Sequence, residues 1–239
     1  MPRRKSTPSL SDAKAGPAAP AAAPSGASAS GAKTSAKPRP SATTRERVLA
    51  AAERLLEKGE PAFSMRELAA EAGVSFATPF NQFGSKAAIM YALSAELIAA
   101  MHARLAAREP GGDAAARILA AVAIAASVML ERPAVNRVIM ATLGAPEGHP
   151  GQVLALSRAY WARALGEAEG FSDPRFARET LPDQLAFTFR GILSFWTAGE
   201  ISDAELRART ARAAAASLLG FAGPDLHDTF LRVLTRAEV

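Results

Sequence analysis

The stretch from Ser64 to Lys86 constrains the fold of this chain more than any other part of the sequence. Ser64 and Glu67 have the spacing of a capping box, in which each side chain bonds a free backbone N–H at the start of a helix. Gly73 suits the left-handed conformation that ends such a helix, and Ser75 is a residue type that begins one. Between them, apolar residues recur at the spacing of one buried helix face: Met65, Leu68, Ala69 and Ala72.

Two short helices joined by a glycine turn follow the plan of a helix-turn-helix, whose second helix enters the major groove of DNA. Ser85 is predicted to cap a further helix, with Lys86 at its first position. Free N–H groups at a helix start and a neighbouring cation suit a phosphate of the DNA backbone. The pattern therefore favours a DNA-binding head.

Three pieces of sequence around this motif carry a family resemblance. They are R-x-x-x-L-x-A-A-x-x-L-L-x-x-G over Arg45–Gly59, F-S-M-R-E-L-A-x-x-A-G-V-S over Phe63–Ser75, and A-T-P-F-N-Q-F-G-S-K over Ala77–Lys86. Together they resemble the TetR family of bacterial transcription regulators. The rest of the chain agrees with that family only in its length and its all-helical pattern.

The resemblance implies an all-α protein with an N-terminal three-helix head and a C-terminal helical domain for effector binding and dimerisation. We place the head at residues 44–91 and the body at 92–239. It also implies double-stranded DNA and a second copy of the chain as partners. The residues expected at the DNA are Arg45, Arg66, Ser75, Phe76, Thr78, Phe80, Asn81, Gln82 and Lys86.

The second helix of the motif departs from the family pattern. Between Ser75 and Gly84 there is no Lys or Arg, so this helix offers no bidentate contact to guanine. Phe80 stands where the family usually has a phosphate-contacting Tyr, and as an alternative it serves only the core. Pro79 predicts a shortened or bent helix with an irregular first turn at 75–78. In an alternative start, Thr78 is the cap and Pro79 the first helical residue.

The net charge of +5 belongs to the N-terminal segment. Residues 1–44 carry seven basic groups and one acidic group, whereas residues 45–91 carry six of each. Residues 1–43 are rich in Ala, Pro, Ser and Gly, a composition that predicts disorder. This tail is either inert or a basic arm that adds phosphate affinity by releasing counterions.

The body is predicted to contain six helices, at Asp113–Glu131, Ala134–Leu143, Gly151–Glu169, Pro182–Glu200, Asp203–Phe221 and Pro224–Arg236. The helix from Pro182 is apolar nearly all round, and the next helix has a strip of small residues from Ala211 to Ser217. Two such helices from each subunit predict a two-fold dimer interface built as a four-helix bundle. The alternative is that they form only the core of one protomer.

A small-molecule effector is the expected further partner, and its candidate contacts are Met140, Trp161, Phe187, Arg190 and Trp196. Aromatic and Met side chains at helical spacing are also the ordinary content of a core. Arg190 lies within an apolar helix, where an unpaired charge is costly. It is expected to pair with an acid across the dimer or with an effector carboxylate, and we prefer the first.

Other functions receive little support from the sequence. The chain has no Cys, and its three His are far apart, so we expect no metal and no cofactor. No Ser/His/Asp order, metal-binding His pair or phosphate loop indicates an enzyme. The most apolar run, Ile118–Leu130, is shorter than the ~20 residues that span a bilayer, and no secretory signal is evident, so we expect a cytoplasmic protein.

The leading interpretation is a TetR-type repressor that binds a palindromic operator as a homodimer and is released by a small apolar or aromatic ligand. One alternative is a regulator that needs no ligand. Another is a helical interaction protein whose DNA binding is weakened, because Pro79, Phe80 and the charge-neutral head depart from a strong DNA reader.

Overall fold

The structure is a computed structural model that describes residues 42–108, 110–143 and 152–235. Within these ranges it has ten helices and no strand. The helices are α1 Thr44–Glu57, α2 Met65–Ala72, α3 Ala77–Phe83, α4 Lys86–Arg108, α5 Ala114–Glu131, α6 Pro133–Thr142, α7 Val153–Leu165, α8 Pro174–Thr197, α9 Asp203–Leu219 and α10 Pro224–Thr235. The predicted tail, apart from Ala42 and Thr43, lies outside the described residues.

Helices α1 to α3 pack with the start of α4 into the head. Two capping boxes define the helix starts, Thr43 with Glu46 before α1 and Ser64 with Glu67 before α2, and the second confirms the sequence prediction. The apolar stripes of the helices meet in a core where side chains are at most 4 % exposed: Val48, Leu49, Leu55, Leu56, Phe63, Leu68, Ile89 and Met90. This core fixes the direction in which α3 points.

Helix α4 runs without a break from the head into the body. Ser85 caps it as predicted, since its Oγ accepts a hydrogen bond from the backbone N–H of Ala88 at 3.0 Å. The boundary that we placed after residue 91 falls inside this helix. This boundary therefore separates the proposed DNA-binding role of the head from the proposed effector-binding and dimerisation role of the body, while the backbone of α4 is continuous across it.

The body is a layered bundle in which α5 lies in the interior and α4, α6, α7 and α9 pack around it. Helix α7 ends at Leu165, four residues earlier than predicted. Two features end it: Gly166 turns at φ 62°, and the Arg117 guanidinium donates to the carbonyls of Ala164 and Leu165 at 3.3 and 2.9 Å. A cation at a helix C-terminus is favourable.

Helix α8 begins at Pro174, so the predicted start at Pro182 is wrong. Asp173 caps the helix by accepting a hydrogen bond from the N–H of Phe176 at 3.0 Å, and Pro174 occupies the favoured first position. Pro182 lies within the helix and is buried. Its ring removes one hydrogen bond, to the carbonyl of Arg178, and the helix continues through it.

Helices α4 and α5 are long and apolar enough to cross a bilayer by length and composition alone. Both are core helices here, because α5 packs against α4, α6, α7 and α9 and buries residues such as Ile118, Val122 and Met129. Apolar helices that fill the interior of a bundle pass the same test as a membrane span.

Candidate nucleic-acid interface and body cavity

The turn between α2 and α3 is held by Gly73 and Arg47. Gly73 has φ 63° and ends α2 in the predicted left-handed conformation. The Arg47 guanidinium, from α1, donates to the carbonyls of Ala72 and Gly73 at 3.0 and 2.6 Å. Sequence reasoning missed Arg47, because an Arg on the exposed side of an amphipathic helix is ordinarily a solvated charge.

Helix α3 is short, as predicted, and begins at Ala77. The N–H of Thr78 donates to the Ser75 carbonyl at 2.9 Å, and the two side-chain hydroxyls lie 2.7 Å apart. Pro79 is therefore in the first turn, where its missing N–H leaves no bond unmade. The alternative start, with Thr78 as cap and Pro79 as first helical residue, is wrong by two residues.

The exposed face of α3 carries most of the predicted base-contacting side chains. Phe76 is 54 % and Phe80 43 % exposed, so the alternative of a core role for Phe80 is wrong. Their rings meet edge to face at 5.7 Å between centroids, and the Arg66 guanidinium lies 5.5 Å from the Phe76 ring. Asn81 and Gln82 are exposed beside them.

Lys86 has a structural task in this head. Its ammonium donates to the carbonyls of Pro61 and Phe63 at 2.7 and 3.0 Å and lies 4.2 Å from the Phe63 ring. Burial lowers the pKa of Lys86, and the Glu67 carboxylate opposes that shift. Two of the three ammonium donors thus hold the α1–α2 loop, which leaves one for a phosphate.

Arg45 lies at the start of α1, half-exposed. Its guanidinium is 5.3 Å from the Phe83 ring and 3.9 Å from the Glu96 carboxylate on α4. Burial, with a contribution from Glu53, raises the pKa of Glu96. The arrangement places a cation at the rim of the head, while its contact with a phosphate stays a prediction.

The body contains a partly open cavity of about 290 Å³ between α4, α5, α6, α7 and α8. Four of the five predicted ligand contacts line it: Met140, Trp161, Phe187 and Arg190. Trp196 does not, because its indole N–H donates to Asp203 at 2.7 Å and the Arg137 guanidinium stacks 4.7 Å from its ring. Sequence periodicity placed these residues on apolar faces and left open which faces enclose space.

The family model described as "Bacterial regulatory proteins, tetR family" matches residues 48–93. The matched segment contains most of α1, all of α2 and α3, and the start of α4, which is the helix-turn-helix head. Residues 48–93 therefore carry the N-terminal domain of the TetR family.

Solved structures extend the likeness in fold to the body of the chain. A TetR transcriptional regulator from Rhodococcus sp. RHA1 is similar with a TM-score of 0.59 at 21% identity, over 74% of this chain and 94% of that chain. A protein of unknown function from Rhodococcus sp. RHA1 is similar with a TM-score of 0.52 at 27% identity, over 78% of this chain and 100% of that one. No curated protein matches the chain in sequence.

The outer face of α8 is apolar and open. Phe187 and Phe195 are 52 % and 53 % exposed, and Gly191 lies between them at a spacing of four residues. A Cβ added at Gly191 would meet nothing within 4 Å. The small-residue strip on α9 is divided, since Ala214 and Ala215 are buried within the protomer and Ala216 is exposed.

One ion-pair cluster joins the head to the body. The Arg132 guanidinium, between α5 and α6, lies 2.6 Å from the Glu53 carboxylate and 3.1 Å from that of Glu57, both on α1. These carboxylates raise the pKa of Arg132. Sequence reasoning missed this cluster, because the partners are separated by more than seventy residues and only the fold brings them together.

Proposed function

We propose that this TetR-type regulator is a repressor that binds a palindromic operator as a homodimer and releases it when a small apolar or aromatic ligand enters the body cavity. The observation that carries the proposal is the exposed face of α3, held in a fixed direction by the Arg47 and Lys86 hydrogen bonds to the turn and loop of the head. Its target implies a cytoplasmic protein.

The chemistry of α3 favours sites rich in A·T pairs. Asn81 and Gln82 suit the N6 and N7 edge of adenine, and the exposed rings of Phe76 and Phe80 suit thymine methyl groups. Helix α3 has no Lys or Arg that could contact guanine. The proposed phosphate contacts come from residues around α3: Arg45, Arg66, the hydroxyls of Ser75 and Thr78, and the remaining donor of Lys86.

Dimerisation is assigned to the outer face of α8 together with α9. An apolar stripe of two exposed Phe around a Gly is self-complementary under a two-fold axis, which permits two copies of α8 to approach closely at Gly191. Two heads related by the same axis then meet two half-sites about one helical turn of DNA apart.

Release by a ligand requires two states of the dimer with different distances between the heads. Met140 of α6 and Leu143 directly after it line the cavity, and Arg132 directly before α6 holds Glu53 and Glu57 of α1. A ligand that displaces α6 therefore acts on the head through these ion pairs as well as through the continuous α4.

A gel-shift titration of the full chain on the DNA flanking its own gene tests the repressor. We expect salt-dependent binding to a palindrome, lost in Asn81→Ala with Gln82→Ala and kept in Arg175→Ala, which removes an exposed charge from α8. Equal binding by both variants contradicts the assignment of α3.

The exposed Phe76 and Phe80, with no cation on α3, favour one alternative, a helical interaction protein that contacts another protein through this face. Absence of duplex binding at every salt concentration, with the head folded, supports that alternative.

A further inference from the structure

The wall of the body cavity is apolar except at a few points. Leu97, Ile98, Met101, Met129 and Met140 supply much of the lining, and its polar members include Tyr91, Ser94, Ser157 and Arg190. Among the described residues, no Asp or Glu lines the cavity. A cavity with one cation and no acid repels positively charged ligands and attracts anions.

Arg190 is the cation of this cavity, half-buried on α8. In the part of the chain that the structure describes, its guanidinium has neither a hydrogen bond nor an ion pair. Burial lowers the pKa of Arg190, which means that the protein environment opposes the charge. A guanidinium with five donors and no counter-charge is costly to enclose unless an anion joins it.

A second donor in the same wall is also unmet. The indole N–H of Trp161 is buried and has no hydrogen-bond partner in the described structure. Neighbouring hydroxyls differ, because Tyr160 donates to the Ala121 carbonyl at 2.7 Å and Ser94 donates to the Tyr91 carbonyl at 2.7 Å. Buried polar groups without partners are rare in folded proteins, so the unpaired Trp161 N–H is a further cost beside this cavity, while the donor that a ligand reaches is the half-buried Arg190 guanidinium.

We infer that the cavity binds a small apolar monocarboxylate, whose carboxylate is held by the Arg190 guanidinium and whose body meets the Met and aromatic wall beside Trp161. The inference rests on the proposed function, since it names the ligand class for the same cavity. Arg is suited to this task because its planar donors match the two oxygens of a carboxylate.

The size of the cavity limits the ligand. A cavity of about 150 Å³ holds benzene, so one of 290 Å³ accommodates roughly twice as many atoms, about twelve besides hydrogen. Met101, Met129 and Met140 are flexible and make favourable contacts with aromatic rings. An arylalkanoic acid fits these limits, and a medium-chain fatty acid offers the same carboxylate on a flexible chain.

From the sequence we expect an acid of a second subunit as the partner of Arg190. The position of Arg190 on the cavity wall favours a ligand instead, because a ligand in the cavity reaches the guanidinium without a second subunit. Glu147 belongs to segment 144–151, outside the described residues, and the variant Glu147→Gln controls for it.

Calorimetric titration of the full-length protein without DNA tests the inference, with 3-phenylpropionate, its amide and octanoate as probes. We expect at least one of the two acids to bind about 10- to 100-fold more tightly than the amide, because the amide lacks the charge. The tighter-binding acid shows whether the cavity prefers the aromatic ring of 3-phenylpropionate or the aliphatic chain of octanoate. Equal affinity for acid and amide, or no binding of either acid, overturns the inference.

Matched variants assign the binding to its residues. Arg190→Gln is expected to abolish the preference for acid over amide, while Arg158→Gln, an exposed Arg beside Asp183 on the surface, keeps it. Arg190→Met is expected to raise the melting temperature of the ligand-free protein, because it removes an unpaired charge. If Arg190 only stabilised the fold, the same substitution would lower the melting temperature. A lower melting temperature, or a loss in Glu147→Gln equal to that in Arg190→Gln, contradicts the assignment.

The two Trp of the chain give an optical readout. Ligand binding is expected to change the fluorescence of Trp196→Phe, in which Trp161 remains, and to leave that of Trp161→Phe unchanged. A response from Trp196 alone contradicts the cavity as the binding site. Release of DNA is measured in a separate experiment. An acid that binds the cavity without releasing DNA contradicts the proposed release by a ligand, but it still supports a monocarboxylate as the ligand class.

Discussion

In the head, Arg47 and Lys86 each hold two backbone carbonyls, whereas in the body cavity Arg190 and the Trp161 N–H have no partner among the residues that the structure describes. The outer face of α8 likewise leaves Phe187 and Phe195 half exposed. Side chains of the head thus satisfy its own turn and loop carbonyls, while the body has polar groups without partners and an apolar face without a cover, which we propose are for a ligand and a second subunit.

Truncating one core side chain in each region is the strongest test of this contrast. Leu68→Ala, at the centre of the head, is expected to cost about 2–5 kcal/mol in the free energy of unfolding. Met140→Ala is expected to cost about 2 kcal/mol or less, because Met140 already borders the cavity and loses fewer contacts. Urea unfolding measures both, and equal costs contradict the contrast.

Substitutions on the exposed apolar face of α8 test whether this face forms the dimer interface. Phe195→Ser is expected to weaken dimerisation by about 100-fold or more, since Phe195 is half-exposed in the protomer and each proposed dimer would lose two rings at its interface. Leu231→Ser, on the exposed side of α10, is the control and should leave the dimer intact. Sedimentation equilibrium decides, and a dimer unaffected by Phe195→Ser places the interface elsewhere.

The ion pairs of Arg132 test how the two regions communicate. Arg132→Met is expected to cost about 1 kcal/mol in stability, because the pairs with Glu53 and Glu57 are partly exposed. It is also expected to reduce the effect of a cavity ligand on operator affinity without changing ligand affinity. Operator titrations with and without ligand measure this. If the ligand changes operator affinity equally in Arg132→Met and in the unaltered protein, only α4 couples the cavity to the head.

Gly191 distinguishes a helix that faces a partner from one that faces water. In a free protomer, Gly191→Ala should stabilise α8 by about 1 kcal/mol, because the added Cβ meets nothing and Gly is a poor helix former. If two copies cross at this residue, the same change weakens the dimer. Melting curves at several protein concentrations separate the outcomes, and stabilisation at every concentration argues against the crossing.

The smallest effect concerns the pH dependence of the head. Hydrogen bonds from Arg54 and Lys58 hold the pKa of Glu71 below its ordinary value of 4.5. A carboxylate of this kind stabilises the fold above that value and loses its contribution as the pH falls through the lowered pKa. Glu71→Gln should flatten stability against pH between 5 and 3, unlike Glu179→Gln on the exposed side of α8. A slope unchanged in Glu71→Gln contradicts this.

Local patterns predicted the head well. The Ser64–Glu67 capping box, the Gly73 turn, the Ser85 cap and the short α3 each depend on a few neighbouring residues, and the structure has all four. The start of α8 was missed because Pro182 looks like a first residue, although Asp173 and Pro174 form an equally good start eight residues earlier.

The sites that depend on distant residues were predicted less well. Apolar spacing selected Trp161 and Trp196 alike, and only packing shows that one lines the cavity while the other is bonded to Asp203. Arg47 and Arg132 gave no signal, because their partners lie on other helices.

Binding of the full chain to a labelled palindromic duplex, measured by fluorescence anisotropy across salt concentrations, tests the central claim most directly. We predict two chains per duplex and a loss of specific affinity of about 10-fold or more in Asn81→Ala, with weak salt-dependent binding to unrelated DNA retained. One chain per duplex, or an Asn81→Ala affinity equal to that of the unaltered protein, would contradict a dimer that reads DNA through α3.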